Sequence, residues 1–171
     1  LSERRFLKMT ISLKHMGRRT GAVLVSLLLL LTLAVSASAA AVKMTVGVRF
    51  WRESGDKESM ADSSVDTTRE ATLTRQPNGT FTLELPVKQL SSMNMTGRLT
   101  GIAIGEVNYD GTLSGDLSDG TAVLTLKNLP ASVLTGSDSN KALAVTCSIK
   151  MDTILLGDIT TSAKMSIWVE R

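Results

Sequence analysis

Strict period-two alternation governs this chain from residue 42 onward. Between Val42 and Trp51, the residues Val42, Met44, Val46, Val48 and Phe50 fall on one face, and Lys43, Thr45, Gly47, Arg49 and Trp51 on the other. Side chains change sides at every step only in extended chain, so the pattern specifies a strand with one face buried and one wet. The period returns at Lys141–Met151, where Leu143, Val145, Cys147, Ile149 and Met151 share a row, and at Ser162–Glu170, where Ala163, Met165, Ile167 and Val169 do. Shorter runs at Arg69–Arg75, Thr80–Leu85, Arg98–Gly105, Val107–Leu113 and Thr121–Lys127 read as strands. Pro77-Asn78-Gly79 marks a hairpin, with Asn-Gly expected to supply the positive φ angles. Asp110-Gly111 and Asp119-Gly120 read as turns. No long helical period competes. About eight short strands, with turn signals between them, predict an all-β, immunoglobulin-like antiparallel sandwich of two sheets.

Two stretches break the alternation. Arg52–Thr68 is polar and too long for a hairpin turn. It is expected to hold a short helix after the first strand, around Glu58–Ser64, with Ser59 as N-cap and Asp62 three residues on. Asp152–Thr161 joins the last two strands and carries Ile154, Leu155 and Leu156. Three adjacent apolar residues in a loop either fold back on the sandwich or meet a partner.

Before the sandwich lies a different kind of sequence. Arg18 and Arg19 precede an apolar run from Ala22 to Val35, and Ala37-Ser38-Ala39 follows. That is a basic segment, an apolar segment and a small-residue cleavage site, so residues 1–39 read as a signal peptide. The run is short of the roughly 20 residues that span a bilayer. Leu1–His15 lies upstream of Met16 and reads as a mis-assigned start. The domain is then 40–171, secreted or cell-surface associated, touching a membrane only through its leader before cleavage. The chain stops at Arg171 just after the last strand, with no wall-sorting segment, so a released or non-covalently held protein is expected.

The leader also explains the charge. The whole chain carries +3, but residues 1–39 hold six of its 19 basic groups and one of its 16 acids, leaving −2 for the rest. A mildly acidic domain without a basic run is a poor binder of nucleic acid. The single histidine, His15, belongs to the leader, so the domain has no imidazole for a Ser–His–Asp triad or a metal site. Its one cysteine, Cys147, excludes an internal disulfide and a Cys-rich zinc site. No acid–base constellation is visible, and a non-catalytic module is expected.

The junction of the first strand and the polar loop carries a family resemblance. Val48-Arg49-Phe50-Trp51, then Asp56-Lys57-Glu58-Ser59-Met60-Ala61, resembles the opening of a NEAT (near-iron-transporter) domain, a strand followed by a short helix with a Ser-Met pair. Ala71-Thr72-Leu73, Asn78-Gly79-Thr80-Phe81-Thr82-Leu83, Met95-Thr96-Gly97-Arg98-Leu99 and Ala163–Val169 resemble later family segments in the same order. The resemblance spans Val42–Glu170 and is closest to variants of Gram-positive bacteria. It implies haem uptake, with the porphyrin between the short helix and the last hairpin. The serine, here Ser59, would bond a propionate, and the methionine, here Met60, would pack on the ring. The family's hairpin Tyr-x-x-x-Tyr, whose phenolate ligates iron, is missing: Thr153 and Gly157 fall where the tyrosines would be, and the single tyrosine is Tyr109.

The resemblance thus points to Ser59, Met60, Trp51, Ser148, Met151, Thr153 and Ile154 as contacts for haem, with weak binding or altered ligation, and no metal ligand is assigned. Ala144, Thr146 and Ser148 would form the hairpin wall. Met151, Met93 and Met95 are thioether alternatives, although Met151 shares parity with the core row. Met60 reads equally as a plug for one end of the sandwich, and Ser59 as a plain cap. Trp51 and Trp168 sit on the polar parity and suit a pocket floor, a partner surface or edge packing. Asp110, Asp116 and Asp119 lack a calcium-loop spacing and read as solvated turns. The partners implied are haem or a haem-carrying protein. The alternative is a degenerate, haem-free domain that binds a protein or cell-surface partner.

Overall fold

A computed structural model describes residues 41–170, except 93–94 and 153–156. Ile154–Leu156, Thr153 and the leader therefore lie outside the described residues.

The first strand, β1 (Val42–Arg52), is central. Its apolar row points inward, with Val46 and Val48 buried and Phe50 fully so. Burying a side chain of that size contributes about 1.5–3 kcal/mol. β2 (Ala71–Arg75) and β3 (Phe81–Pro86) follow as an antiparallel pair. Then come β4 (Leu90–Ser92), β5 (Met95–Ile104), β6 (Val107–Asp110), β7 (Thr112–Ser114) and β8 (Val123–Leu129). The long hairpin β9 (Leu143–Met151) and β10 (Asp158–Val169) ends the fold. All pairings are antiparallel, in the order β4-β5-β9-β10-β1-β2-β3-β8-β7, with β6 beside β5.

The expected all-β, immunoglobulin-like sandwich forms, with its two layers made from one curled sheet rather than two separate ones. The layers are continuous through β10 and β1, which pair from Val46↔Val169 to Arg52↔Ala163. Leu73, Leu83, Leu85, Leu124 and Leu126 from one half meet Leu99, Ile102, Cys147, Ile149 and Met165 from the other in a single core. The strand expected at Val107–Leu113 is broken at Gly111, where the chain passes from β6 on β5 to β7 on β8. A Cβ at Gly111 would stand 2.8 Å from the Thr100 carbonyl oxygen, so the crossing admits no side chain.

The Asn78-Gly79 turn differs from expectation. Only Gly79 has positive φ, at 84°. Pro77 precedes, the Gly79 N–H bonds the Gln76 carbonyl, and Asn78 Oδ1 accepts from the Thr80 N–H. A proline fixed near φ −65° favours this turn over the doubly left-handed one. Gly79→Ala is expected to cost about 1 kcal/mol in urea unfolding, since an L side chain resists the left-handed region. A Cβ there meets nothing within 4 Å, so no clash adds to that cost.

Candidate functional site

The polar connector after β1 is tied back to that strand at two points. The Arg52 N–H donates to the Lys57 carbonyl at 2.7 Å, and the Ser59 N–H donates to the Phe50 carbonyl at 2.8 Å. The chain thus doubles back along β1 and enters a 3-10 turn at Met60–Ser64. Ser59 is its N-cap: Oγ accepts from the Ala61 N–H at 3.3 Å. Ser63 and Ser64 hydroxyls donate back to the Met60 and Ala61 carbonyls at 2.6 Å, tightening the turn.

Asp62 is the residue that the sequence pattern undervalued. Its carboxylate is 7% exposed, and Oδ1 accepts the Phe50 N–H at 2.7 Å. It therefore closes the edge of β1 where no strand pairs with it. Arg49 reaches Asp62 Oδ2 at 3.5 Å and also pairs with Glu58. Burial raises the Asp62 pKa above the usual carboxylate value, against the lowering pull of the Phe50 N–H and Arg49. The turn rests on β1, β4 and β5. Met60 does not plug the sandwich: it is 36% exposed, on the outside of this locked turn.

Trp51 and Trp168 stand on the outer face of β1 and β10. The Trp51 indole N–H donates to Ser166 Oγ at 2.9 Å, and Ser166 is fully buried. Trp168 pairs with Gly47, and its indole lies flat over that glycine: a Cβ there would sit 2.1 Å from Cζ2 and 2.2 Å from Cε2. Lys164 is drawn aside to the Gly55 carbonyl at 3.0 Å.

The hairpin side is chemically plain. Ala144, Thr146 and Ser148 form the outward row of β9, with Ser148 opposite Thr160. The depression beside them, about 210 Å³, is lined by Glu53, Ala103, Gly105, Ala144, Val145, Thr146, Ser162 and Ala163. Met151 points inward at 7% exposure and belongs to the core, its sulfur packed on Gly97. Cys147 is fully buried, and burial pushes its thiol up to about 12. Tyr109 lies on β6, opposite Ile102. Among the described residues no cluster of three or more acids, cysteines or histidines exists to hold a metal ion.

The described outward rows of the last hairpin, Ala144, Thr146, Ser148 and Lys150 of β9 with Asp158, Thr160 and Ser162 of β10, hold no tyrosine, so they do not fit a ferric haem ligated by a phenolate. Among the described residues the turn leaves the Met60 side chain exposed on its outside, whereas Ser59 is buried, its hydroxyl oxygen accepting the capping bond. The structure brings Ser59 and Met60 back to the end of β1 that carries Trp51, while Met151 turns away from solvent.

No known family profile and no curated protein matches the chain. Among solved structures, the chain is similar to the NEAT5 domain of IsdX2, a B. anthracis hemophore in complex with heme, and to a point mutant of that domain, also in complex with heme. Each likeness has 9% identity and a TM-score of 0.48, and covers 77% of this chain and 98% of the other.

Proposed function

We propose that this chain is an exported, non-catalytic binding module that takes haem weakly, through Met60 and Ser59 and without an anionic protein ligand to iron. The observation that carries the reading is the exposed Met60 side chain on a turn locked by Ser59 and Asp62. A methionine held outward on rigid backbone supplies a soft sulfur and a polarizable contact at little ordering cost. Thioether sulfur favours the softer, reduced metal. The reading therefore predicts tighter binding of ferrous than of ferric haem.

Titration of the purified protein with haemin, with and without dithionite, tests it. A saturable Soret change is expected, stronger in the reduced form. Met60→Ala is expected to weaken it by about fivefold or more, in line with the loss of one sulfur–ring or sulfur–metal contact. No Soret change and no saturable tryptophan quenching in either redox state would overturn the reading.

A second reading rests on the two indoles. Trp51 and Trp168 are fixed on one sheet face, and tryptophan is enriched where proteins meet partners. In that case the module is haem-free and engages a protein or cell-surface partner through this face.

A further inference from the structure

β1 carries a gap in its hydrogen-bond ladder. Toward β10, the residues Gly47, Arg49 and Trp51 face Trp168, Ser166 and Lys164. Val46, Val48 and Phe50 turn their backbone groups the other way. The Val46 end is closed by Ala71 of β2. The Phe50 end is closed by Asp62 and the Ser59 N–H. Between them, the N–H and C=O of Val48 meet no protein partner among the described residues. The opposite side agrees: Ile167, across from Val48, spends its own N–H and C=O on Thr135 and Gly136.

The gap opens into a cleft of about 270 Å³. Its floor is Val48 with Val65 and Leu85, and one lip is the Trp168 indole. The other wall is the segment 65–70, which leaves β1 instead of extending β2. Arg69 holds that segment away: its guanidinium donates to the carbonyls of Gly120 at 2.7 Å and Ala122 at 3.1 Å. Arg49 is spent on Glu58 and Asp62. Asp66, Glu70 and Glu170 at the mouth have no ion-pair partner among the described residues, and these three carboxylates outnumber the two lining guanidinium groups of Arg49 and Arg69, so the opening is net acidic.

A donor and an acceptor on one β residue, flanked on both sides by completed pairs, match the N–H and C=O of a single opposing residue in extended conformation. We infer that this cleft binds a short, basic, extended peptide segment of a partner protein, which adds one antiparallel residue opposite Val48. That residue exchanges both hydrogen bonds with Val48. Its side chain points to the Val65–Leu85 floor and must be small. Its two neighbours point outward, toward Trp168 and the carboxylates, and carry the positive charge. None of the haem-reading residues Ser59, Met60 or Ser148 lines this cleft, so the inference stands apart from the haem proposal.

The test is a titration of the ¹⁵N-labelled protein with acetyl-Lys-Ala-Lys-amide, followed at the Val48 amide and the Trp168 indole. Both signals are expected to shift and saturate together. Acetyl-Glu-Ala-Glu-amide is expected to bind about fivefold more weakly or worse, as is the lysine peptide to a Glu70→Gln/Glu170→Gln variant. The lysine peptide N-methylated at its alanine cannot donate to the Val48 carbonyl and is expected to lose saturable binding. Failure of Val48 to shift, equal affinity for both charge types, or undiminished binding of the methylated peptide would each overturn the inference. A haem titration that fails leaves this result untouched, and the reverse holds.

Discussion

Asp62→Ala is expected to lower the unfolding free energy by about 2 kcal/mol, because it strips the acceptor from a buried backbone N–H. The Phe50 N–H then has neither strand nor side chain to receive it, and the Arg49 guanidinium loses its inner partner. The turn at Met60–Ser64 loses its tie to β1, so amide exchange at Ala61 and Ser64 should accelerate more than at the β9–β10 ladder. Urea unfolding with exchange measured in parallel checks both parts. An unchanged midpoint would show that Asp62 does not close the β1 edge.

The companion variant Asp62→Asn separates charge from hydrogen bonding. Asparagine keeps an oxygen for the Phe50 N–H and sheds the cost of burying a charge. The pH dependence fixes the sign. The folded-state pKa of Asp62 is raised, chiefly by burial, so the proton-linked part of its contribution is complete below the unfolded value of 3.8 and is lost as pH rises through the folded value, while the bond to the Phe50 N–H remains. Wild type should therefore gain stability relative to Asp62→Asn as the solution is acidified through that range. At neutral pH the two should differ by less than about 1 kcal/mol.

Gly47→Val is the second large effect, expected to cost about 2–3 kcal/mol. Its Cβ would fall 2.1 Å from the Trp168 ring, and pairing with β10 fixes the two residues opposite one another. The indole must lift off β1. Its fluorescence should redden and become accessible to iodide, while Trp51, tied to Ser166, stays as it was. A variant with wild-type stability and unshifted emission would contradict the flat indole. The same substitution removes one lip of the Val48 cleft, so peptide shifts at Val48 should weaken with it.

The long strands were legible because period two and burial coincide along them. β1, β9 and β10 all contain the residues that their alternation singles out. The short strand β4 was not legible, since three residues carry no period and Leu90 pairs through its backbone with Gly97. The capped turn was legible from Ser59 and Asp62 in sequence. The second task of Asp62 was not, because it is set by a contact 12 residues away that exists only once the connector doubles back. Gly47 carried a signal that pattern reading left unused. A glycine inside a strong strand marks close approach by another group, and the register shows that the group is Trp168. The exposure of Met60 follows from the direction of a single 3-10 turn, which periodicity does not encode. Val48 reads from sequence as an ordinary core residue, and so it is by its side chain. Its open peptide groups follow from where β2 begins.

The outermost strands, β4, β6 and β7, are only three or four residues long. Such brief borders give a stray chain little length on which to template, which protects against sheet-to-sheet clumping. Recruitment of foreign backbone is thereby shifted from the perimeter to an interior notch, where flanking walls dictate direction, span and side-chain size. A concentrated solution of this protein should accordingly stay free of fibres while still admitting one chosen stretch of main chain.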